Sequence, residues 1–132
     1  MKKKVIPALA LLALVLTGCA SSQQPEDSAY RQITMQEAVE MMEAEEEGYI
    51  ILDVRTEQEF ASGHIPGAVL LPNESIGTED PDCLPDKDQL ILVYCRSGNR
   101  SKQASDKLAR LGYTNVVEFG GINSWPGEIE TE

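Results

Sequence analysis

Short apolar runs separated by helical spacing predict that strands and helices alternate along the chain. Two almost continuous runs, residues 49–54 and 90–94, are typical of strands buried on both faces of a parallel sheet. Weaker apolar runs at 68–71 and 115–119 predict two more strands. Residues 73–88 contain prolines and acidic residues, and we expect a long loop there.

Helices are predicted between these strands. Thr34 and Glu37 have the spacing of a capping box, which indicates the start of a first helix, and Gly48 is positioned to end it. The same spacing recurs at 56–59 and predicts a short second helix, while an apolar stripe over 101–111 predicts a third. This order predicts one small α/β domain whose functional loops lie at the carboxyl ends of parallel strands.

The amino terminus has the pattern of a targeting signal. Three lysines, an apolar run and then small residues follow one another over residues 1–18, the order of a secretory signal. The run is about 12 residues long, whereas a spanning helix needs about 20, which disfavours a permanent transmembrane helix. Residues 16–19, Leu-Thr-Gly-Cys, resemble the lipobox of bacterial lipoproteins. That resemblance implies cleavage before Cys19 and diacylation of its sulfur; ordinary secretion with Cys19 discarded is the alternative.

The predicted domain organisation follows from this signal. Residues 19–29 are polar and have no apolar period, so we expect a flexible linker between the lipid anchor and a domain at 30–132. Ala20 follows the cysteine, which by the sorting rule of such lipoproteins favours the outer membrane in a Gram-negative host. The predicted location is the bacterial cell envelope, anchored to the membrane and facing away from the cytoplasm.

Composition and charge exclude several classes of protein and several kinds of partner. The chain has 132 residues, 42% hydrophobic and 25% charged, which excludes a collagen-like, wholly disordered or multi-span membrane protein. Its 22 acidic and 11 basic residues give a net charge of -11 without a basic stripe, so nucleic acid is a poor candidate partner. One histidine, with no second histidine or cysteine at ligand spacing, disfavours a zinc site.

The residues with the most distinctive chemistry lie in one turn, Cys-Arg-Ser-Gly-Asn-Arg-Ser at 95–101, between the strongest predicted strand and the helix after it. Cys95 would sit at a helix amino terminus, where unpaired N–H groups and the helix dipole favour thiolate over thiol. Arg96 and Arg100 add positive charge, and Gly98 lets successive N–H groups turn inward around an anion. The pattern predicts a nucleophilic cysteine; the alternatives are an inert buried cysteine and solvated arginines.

This turn resembles the active-site loop of the rhodanese family of sulfurtransferases, and three other segments extend the resemblance. They are Leu52-Asp53-Val54-Arg55 with Glu59-Phe60, Gly63-His64-Ile65-Pro66-Gly67-Ala68, and Gly120-Gly121-Ile122-Asn123-Ser124-Trp125. The resemblance covers about residues 30–126. It implies a rhodanese-like α/β fold, a compact domain with a central parallel sheet flanked by helices.

The resemblance also implies an activity. Cys95 would remove a sulfane sulfur from an anionic donor such as thiosulfate, carry it as a persulfide and pass it to a thiol or cyanide acceptor. The substrate-binding residues it implies are Arg96, Ser97, Gly98, Asn99, Arg100 and Ser101. Asp53 and Arg55 would support the site through buried hydrogen bonds or an ion pair, and Asp53 supporting Arg100 is one such arrangement. The resemblance implies no metal and no organic cofactor.

A cysteine in such a loop could also serve other functions. Four residues separate Cys95 from Arg100, as in sulfur-transferring members, whereas the related dual-specificity phosphatases have five, so phosphatase and arsenate reductase activities are disfavoured. Residues 95–98 lack a second cysteine, which disfavours thiol–disulfide exchange. A non-enzymatic persulfide carrier or membrane-tethered binding module stays open. Cys83 adds a hypothesis: an oxidising compartment favours disulfides, and a Cys83–Cys95 bond would silence the nucleophile.

Overall fold

The structure, a computed structural model, describes residues 29–44 and 48–132. The predicted signal peptide, Cys19 and nearly all of the predicted linker lie outside these residues. Within the two described ranges, no helix has both the length and the apolar character required to cross a membrane.

The centre of the domain is one sheet of five parallel strands. The strands are β1 (Arg31–Gln32), β2 (Tyr49–Asp53), β3 (Val69–Leu70), β4 (Leu90–Cys95) and β5 (Val116–Gly121). Their order across the sheet is β1-β5-β4-β2-β3. Leu52 on β2 lies opposite Val93 on β4, so the register aligns the two strongest apolar runs at the middle of the sheet.

Three helices cover the sheet: α1 (Met35–Ala44), α2 (Glu57–Ser62) and α3 (Asn99–Arg110). The capping box predicted for α2 is present, since Thr56 Oγ1 accepts from the Glu59 N–H and the Glu59 carboxylate accepts from the Thr56 N–H. Helix α3 begins two residues earlier than predicted, directly after Gly98. Single 3-10 turns at Asn73–Ser75 and Ile122–Ser124 were not predicted.

The sheet is buried on both faces, with a separate core on each. Leu52, Val93 and Cys95 belong to the core between the sheet and α3, together with Leu108 of that helix. The other core lies between the sheet and α1, and it is formed by residues that include Ala38, Ile51, Leu92, Tyr94 and Phe119. Because alternate side chains of β2 and β4 enter different cores, both strands must be apolar almost throughout. The predicted α/β fold with a central parallel sheet flanked by helices is confirmed.

The connections leave a crevice at the carboxyl ends of β2 and β4. After β2 the chain continues to β3 at one edge of the sheet, whereas after β4 it passes through α3 to β5 on the other side. Loops that diverge in this way open a binding crevice in parallel sheets. Arg55 follows β2, Arg96 follows β4, and both line the cleft that forms there.

Candidate active site

Cys95 is the last residue of β4, and only 1% of its surface is exposed. It pairs with Gly121 of β5 at a point where the register between the strands shifts. A Cβ atom at Gly121 would lie 2.0 Å from the Arg96 carbonyl oxygen, so only glycine lets β5 approach the loop this closely. The end of β5 therefore lies directly against the backbone of the loop that follows Cys95.

The loop after Cys95 turns hydrogen-bond donors towards the sulfur. Gly98 has a φ of 115°, in the left-handed region that favours glycine, and its N–H donates to Cys95 Sγ over 3.0 Å. Ser101, in the first turn of α3, lies with its Oγ 3.5 Å from the same sulfur. The loop thus surrounds Sγ with polar groups although the cysteine itself is buried.

These donors change the acidity of the thiol. Burial by itself raises the pKa of Cys95, but hydrogen bonds from the Ser101 hydroxyl and from the backbone N–H groups of Ser101, Gly98 and Ser97 lower it by more. The pKa of Cys95 therefore lies below that of an ordinary thiol. A lower pKa increases the fraction of thiolate, which is the nucleophilic form of cysteine.

A buried carboxylate, Glu118 of β5, lies beside Ser101 and was not predicted as a site residue. Only 3% of Glu118 is exposed, and its Oε1 accepts from the Ser101 hydroxyl at 2.6 Å and from the Gly120 N–H at 2.9 Å. A serine hydroxyl has one proton, and the Gly98 carbonyl oxygen also lies 2.9 Å from Ser101 Oγ, so a Cys95 thiolate competes with Glu118 and with this carbonyl for it. One sign of this carboxylate was present in the sequence, a charged residue inside the apolar strand Val116–Gly121. A carboxylate buried in such a strand needs hydrogen-bond partners, so it indicates other polar groups nearby.

Arg100 is held by Glu59 in a bidentate ion pair. Its Nη1 lies 2.7 Å from Glu59 Oε2 and its Nη2 lies 2.9 Å from Glu59 Oε1. Hydrogen bonds from Arg100 lower the pKa of Glu59 to about 2, and the carboxylate in turn raises the pKa of Arg100. The suggested support of Arg100 by Asp53 is wrong, because α2 brings Glu59 to this guanidinium instead.

Asp53 and Arg55 form their own buried network. Arg55 Nη2 lies 2.6 Å from Asp53 Oδ2 and also donates to the Gly63 carbonyl oxygen at 2.7 Å. The Tyr94 hydroxyl donates to the same Asp53 oxygen at 2.6 Å, and burial raises the pKa of Tyr94. Tyr94 enters the α1-side core and Cys95 the α3-side core, so this network lies across the sheet from the cysteine sulfur.

The other predicted binding residues are accessible. Arg96, Ser97 and Asn99 are exposed on the loop and at the start of α3. Arg96 forms no ion pair with any residue in the described part of the chain. Beside it lies a cleft of about 500 Å³. Residues lining the cleft include Arg55, Gln58, Glu59, Arg96, Trp125 and Ile129.

The two described cysteines are not linked. Both are free thiols, with Cys83 exposed and Cys95 buried. The carbonyl of Leu84, next to Cys83, accepts from the Tyr113 hydroxyl beyond the end of α3, whereas Cys95 contacts Ser101 in the first turn of that helix. The proposed Cys83–Cys95 disulfide is therefore wrong, since the fold ties the two residues to different ends of the 12-residue helix α3.

No cluster suited to a metal ion occurs between residues 29 and 44 or between 48 and 132. Groups of three or more His, Cys, Asp or Glu side chains arranged to hold a cation are missing from these ranges.

The chain belongs to the rhodanese family: the Rhodanese-like domain matches residues 34–128. The thiosulfate sulfurtransferase GlpE of Pseudomonas entomophila is 34% identical over 106 residues, which cover 76% of this chain and 93% of that protein. The thiosulfate sulfurtransferase PspE of Escherichia coli is 34% identical over 71 residues, or 54% of this chain and 68% of that protein. A sulfurtransferase of Allochromatium vinosum is 40% identical over 83 residues, or 62% and 76%.

Solved structures agree with this assignment. A rhodanese-like domain protein from Staphylococcus aureus is 32% identical with a TM-score of 0.64, covering 77% of this chain and 98% of its own. The rhodanese-like domain of an Anabaena protein is 28% identical with a TM-score of 0.68, covering 76% and 79%. The named relatives are sulfurtransferases, so sulfur transfer between a donor and an acceptor is the general activity that the family supports.

Proposed function

We propose that this protein is a thiosulfate-type sulfurtransferase that carries sulfane sulfur as a persulfide on Cys95. The observation that carries the proposal is the Gly98 N–H directed at Cys95 Sγ over 3.0 Å, in a loop that lowers the pKa of the thiol. A buried thiolate held by backbone donors is a prepared nucleophile that needs no separate base. The names of two relatives support thiosulfate as a donor.

The proposed reaction has two steps. The Cys95 thiolate attacks the outer sulfur of thiosulfate, the S–S bond breaks, and sulfite leaves with the bonding electrons. The terminal sulfur of the resulting persulfide is anionic, and the loop N–H groups that hold Sγ are suited to hold it. A thiolate or cyanide then attacks that sulfur, and Cys95 leaves as the thiolate. The products are a new persulfide or thiocyanate, and no net oxidation of the protein occurs.

Binding of the donor is assigned to the loop around the cysteine. Arg96 is exposed beside the cleft and supplies the positive charge that an incoming anion meets. The N–H groups of Ser97 and Gly98 orient the transferred sulfur, while Arg100 and Glu59 fix the position of the first turn of α3. Asp53 and Arg55 act at a distance, by fixing the end of β2 and the turn at Gly63.

We also propose that the protein is a lipoprotein of the bacterial cell envelope, anchored through Cys19 and facing away from the cytoplasm. The lipobox-like residues 16–19 and the polar stretch after them support this location. Radiolabelled palmitate incorporated by the full chain in a bacterial host, and not by Cys19→Ala, is the expected result. Equal label in both chains, or none in either, would contradict the anchor.

Turnover tests the proposed activity. We expect the purified protein to convert thiosulfate and cyanide to thiocyanate and sulfite, and Cys95→Ser to lose this turnover completely. Cys83→Ser is the matched control, because it removes a thiol outside the site and is expected to keep the activity. Persulfide formation without repeated turnover would contradict the enzyme and favour a persulfide carrier. No reaction at Cys95 with any donor would leave a binding module as the remaining function.

A further inference from the structure

Glu118 is a buried carboxylate without a cationic partner. Only 3% of it is exposed, and no lysine, arginine or histidine in residues 29–44 or 48–132 forms an ion pair with it. Its Oε1 accepts hydrogen bonds from the Ser101 hydroxyl and the Gly120 N–H. Burying a charge without an opposite charge costs free energy. A fold that keeps such a charge beside its nucleophile indicates that the charge has a function there.

The carboxylate lies beneath the loop that holds the Cys95 sulfur. A Cβ atom built on Gly98 would lie 3.9 Å from Glu118 Oε1, and the N–H of the same glycine donates to Cys95 Sγ at 3.0 Å. Ser101 stands between the carboxylate and the sulfur, with its Oγ 2.6 Å from Glu118 Oε1 and 3.5 Å from Cys95 Sγ. One serine oxygen thus separates the carboxylate from the nucleophile.

A sulfur atom added to Cys95 must extend away from Glu118. Ser101 Oγ contacts Sγ and is also hydrogen-bonded to Glu118 Oε1 and to the Gly98 carbonyl oxygen, so no space for a sulfur atom is left between Sγ and the carboxylate. The terminal sulfur of a persulfide is the atom that carries the negative charge. Loading therefore moves this charge away from Glu118 by up to about 2 Å, the length of a sulfur–sulfur bond.

We infer that Glu118 is a positioning residue that favours the persulfide form of Cys95 over its free thiolate. The carboxylate repels a negative charge on Sγ and draws the Ser101 proton away from it, and both effects weaken when the charge lies on the terminal sulfur. Glu118 therefore assists the loading of Cys95 and slows its discharge, so the protein retains bound sulfur for longer. The inference rests on the proposed role of Cys95 as the nucleophile.

The two reactions that Glu118 affects move the same charge in opposite directions. In loading, the Cys95 thiolate attacks the outer sulfur of thiosulfate, the sulfur–sulfur bond of the donor breaks, and sulfite leaves with the electron pair. In discharge, cyanide or a thiolate attacks the terminal sulfur of the persulfide, and Cys95 leaves with the electron pair as a thiolate. Negative charge thus leaves Sγ in the first reaction and returns to it in the second, and no other oxidant or reductant takes part.

Glu118→Gln tests this effect on an equilibrium. The amide oxygen can still accept from Ser101 and Gly120, so we expect the variant to fold. Each protein, in a Cys83→Ser background, is equilibrated with known concentrations of thiosulfate and sulfite, and intact mass gives the loaded fraction. The loading constant is the ratio of loaded to free protein multiplied by the ratio of sulfite to thiosulfate. We expect it to fall about threefold or more in the variant, the effect of moving a charge about 2 Å from a nearby carboxylate inside a protein.

Two features of the measurement separate this effect from others. Both proteins are compared above the pKa that iodoacetamide alkylation gives for the Cys95 thiol, so the unloaded site is a thiolate in each and a change in thiol pKa does not contribute. The rate constant for discharge of the loaded protein by cyanide is a second readout. It should rise in Glu118→Gln, because the charge that returns to Sγ no longer meets a carboxylate. A residue that only stabilised the fold would change neither quantity.

Two further variants serve as controls. Glu57→Gln removes an exposed carboxylate of α2 and should leave the loading constant unchanged. Glu118→Asp keeps the negative charge and shortens the side chain by one methylene, so its loading constant should stay within about threefold of that of the unaltered protein and above that of Glu118→Gln. A larger fall in Glu118→Asp would by itself assign the effect to packing and overturn the inference.

The outcomes are distinguishable from failure of the proposed function. Equal loading constants for Glu118→Gln and the unaltered protein, or slower discharge in the variant, would overturn this inference while Cys95 stayed the nucleophile. Absence of a persulfide in the unaltered protein would contradict the role of Cys95 and remove both proposals together.

Discussion

Ser101 Oγ lies 2.6 Å from Glu118 Oε1 and 3.5 Å from Cys95 Sγ, so the carboxylate is the closer acceptor of the serine proton. Ser101 comes from α3 and Glu118 from β5, and both are buried. The Glu118 carboxylate draws this proton away from the sulfur and places a negative charge near it. Both effects oppose the thiolate. The backbone N–H groups of the loop act in the opposite direction and lower the pKa of Cys95.

Glu118→Gln is therefore expected to lower the pKa of the Cys95 thiol further. The substitution removes a negative charge near the sulfur and weakens the competition for the Ser101 proton. The measurement is the rate of alkylation by iodoacetamide as a function of pH, in a Cys83→Ser background so that only Cys95 reacts. Glu57→Gln, which removes an exposed carboxylate of α2, is the control and should leave the pH dependence of the alkylation rate unchanged. If the pH dependence measured for Glu118→Gln is unchanged or moves to higher pH, Glu118 does not compete with Cys95 for the Ser101 proton.

Glu59→Gln is expected to destabilise the protein in a pH-dependent way. Arg100 lowers the pKa of Glu59 from 4.5 to about 2 in the folded chain, so the pair stabilises the fold above pH 4.5 and loses that effect as the pH falls towards 2. The pair is partly exposed, so its contribution near neutral pH should be at most about 1 kcal/mol.

Urea unfolding of both proteins at several pH values checks this dependence. The difference in the free energy of unfolding should be largest near neutral pH and should shrink as the pH approaches the folded pKa of about 2. A difference that stays constant over the whole range would assign the effect to the helix cap and not to the ion pair.

Prior reduction is expected to have little effect on sulfurtransferase activity. Cys83 and Cys95 are free thiols held in different parts of the fold, and partial burial of its sulfur raises the pKa of Cys83, which disfavours its reactive thiolate. Air-exposed protein and reduced protein should give thiocyanate at the same rate, and so should Cys83→Ser. A crosslinked peptide containing both cysteines in a non-reducing digest, together with activity regained on reduction, would reinstate the disulfide.

Tyr94→Phe is expected to lower the free energy of unfolding by about 1–3 kcal/mol. The Tyr94 hydroxyl donates to Asp53 Oδ2 at 2.6 Å and accepts from the Ile65 N–H at 3.1 Å. Its loss leaves the buried Ile65 N–H without this acceptor and leaves Asp53 Oδ2 with Arg55 as its remaining donor. Chemical denaturation measures the change. Tyr49→Phe is a suitable control, since Tyr49 is only half-buried and its hydroxyl bonds to no residue in the described ranges. An equal loss in both variants would contradict the role of the network.

Local sequence patterns were enough to predict the central strands and all three helices. The runs at 49–54 and 90–94 are continuous because both faces of β2 and β4 are buried. This apolar pattern can be recognised in each segment without knowledge of the rest of the fold. Strand β1 was missed because its two residues are exposed and have no period. The start of α3 was placed at Ser101 instead of Asn99, because the polar residues between them belong equally well to a loop.

The loop at Cys95 was predictable because its functional residues follow one another in the sequence. Its partners were not, since Glu59 reaches Arg100 across 41 residues and Glu118 reaches Ser101 across 17. Only the order of strands in the sheet and the placement of α2 and α3 determine those contacts. The charged residue in the apolar strand Val116–Gly121 was the one local sign of a buried polar site.

The central claim, that Cys95 carries sulfane sulfur, is tested most directly by the mass of the protein after brief exposure to thiosulfate and removal of the donor. We predict an added mass of one sulfur atom on the peptide that contains Cys95, its loss when cyanide is added, and no such addition in Cys95→Ser. An unmodified Cys95 in folded, reduced protein that has been exposed to thiosulfate would contradict the account.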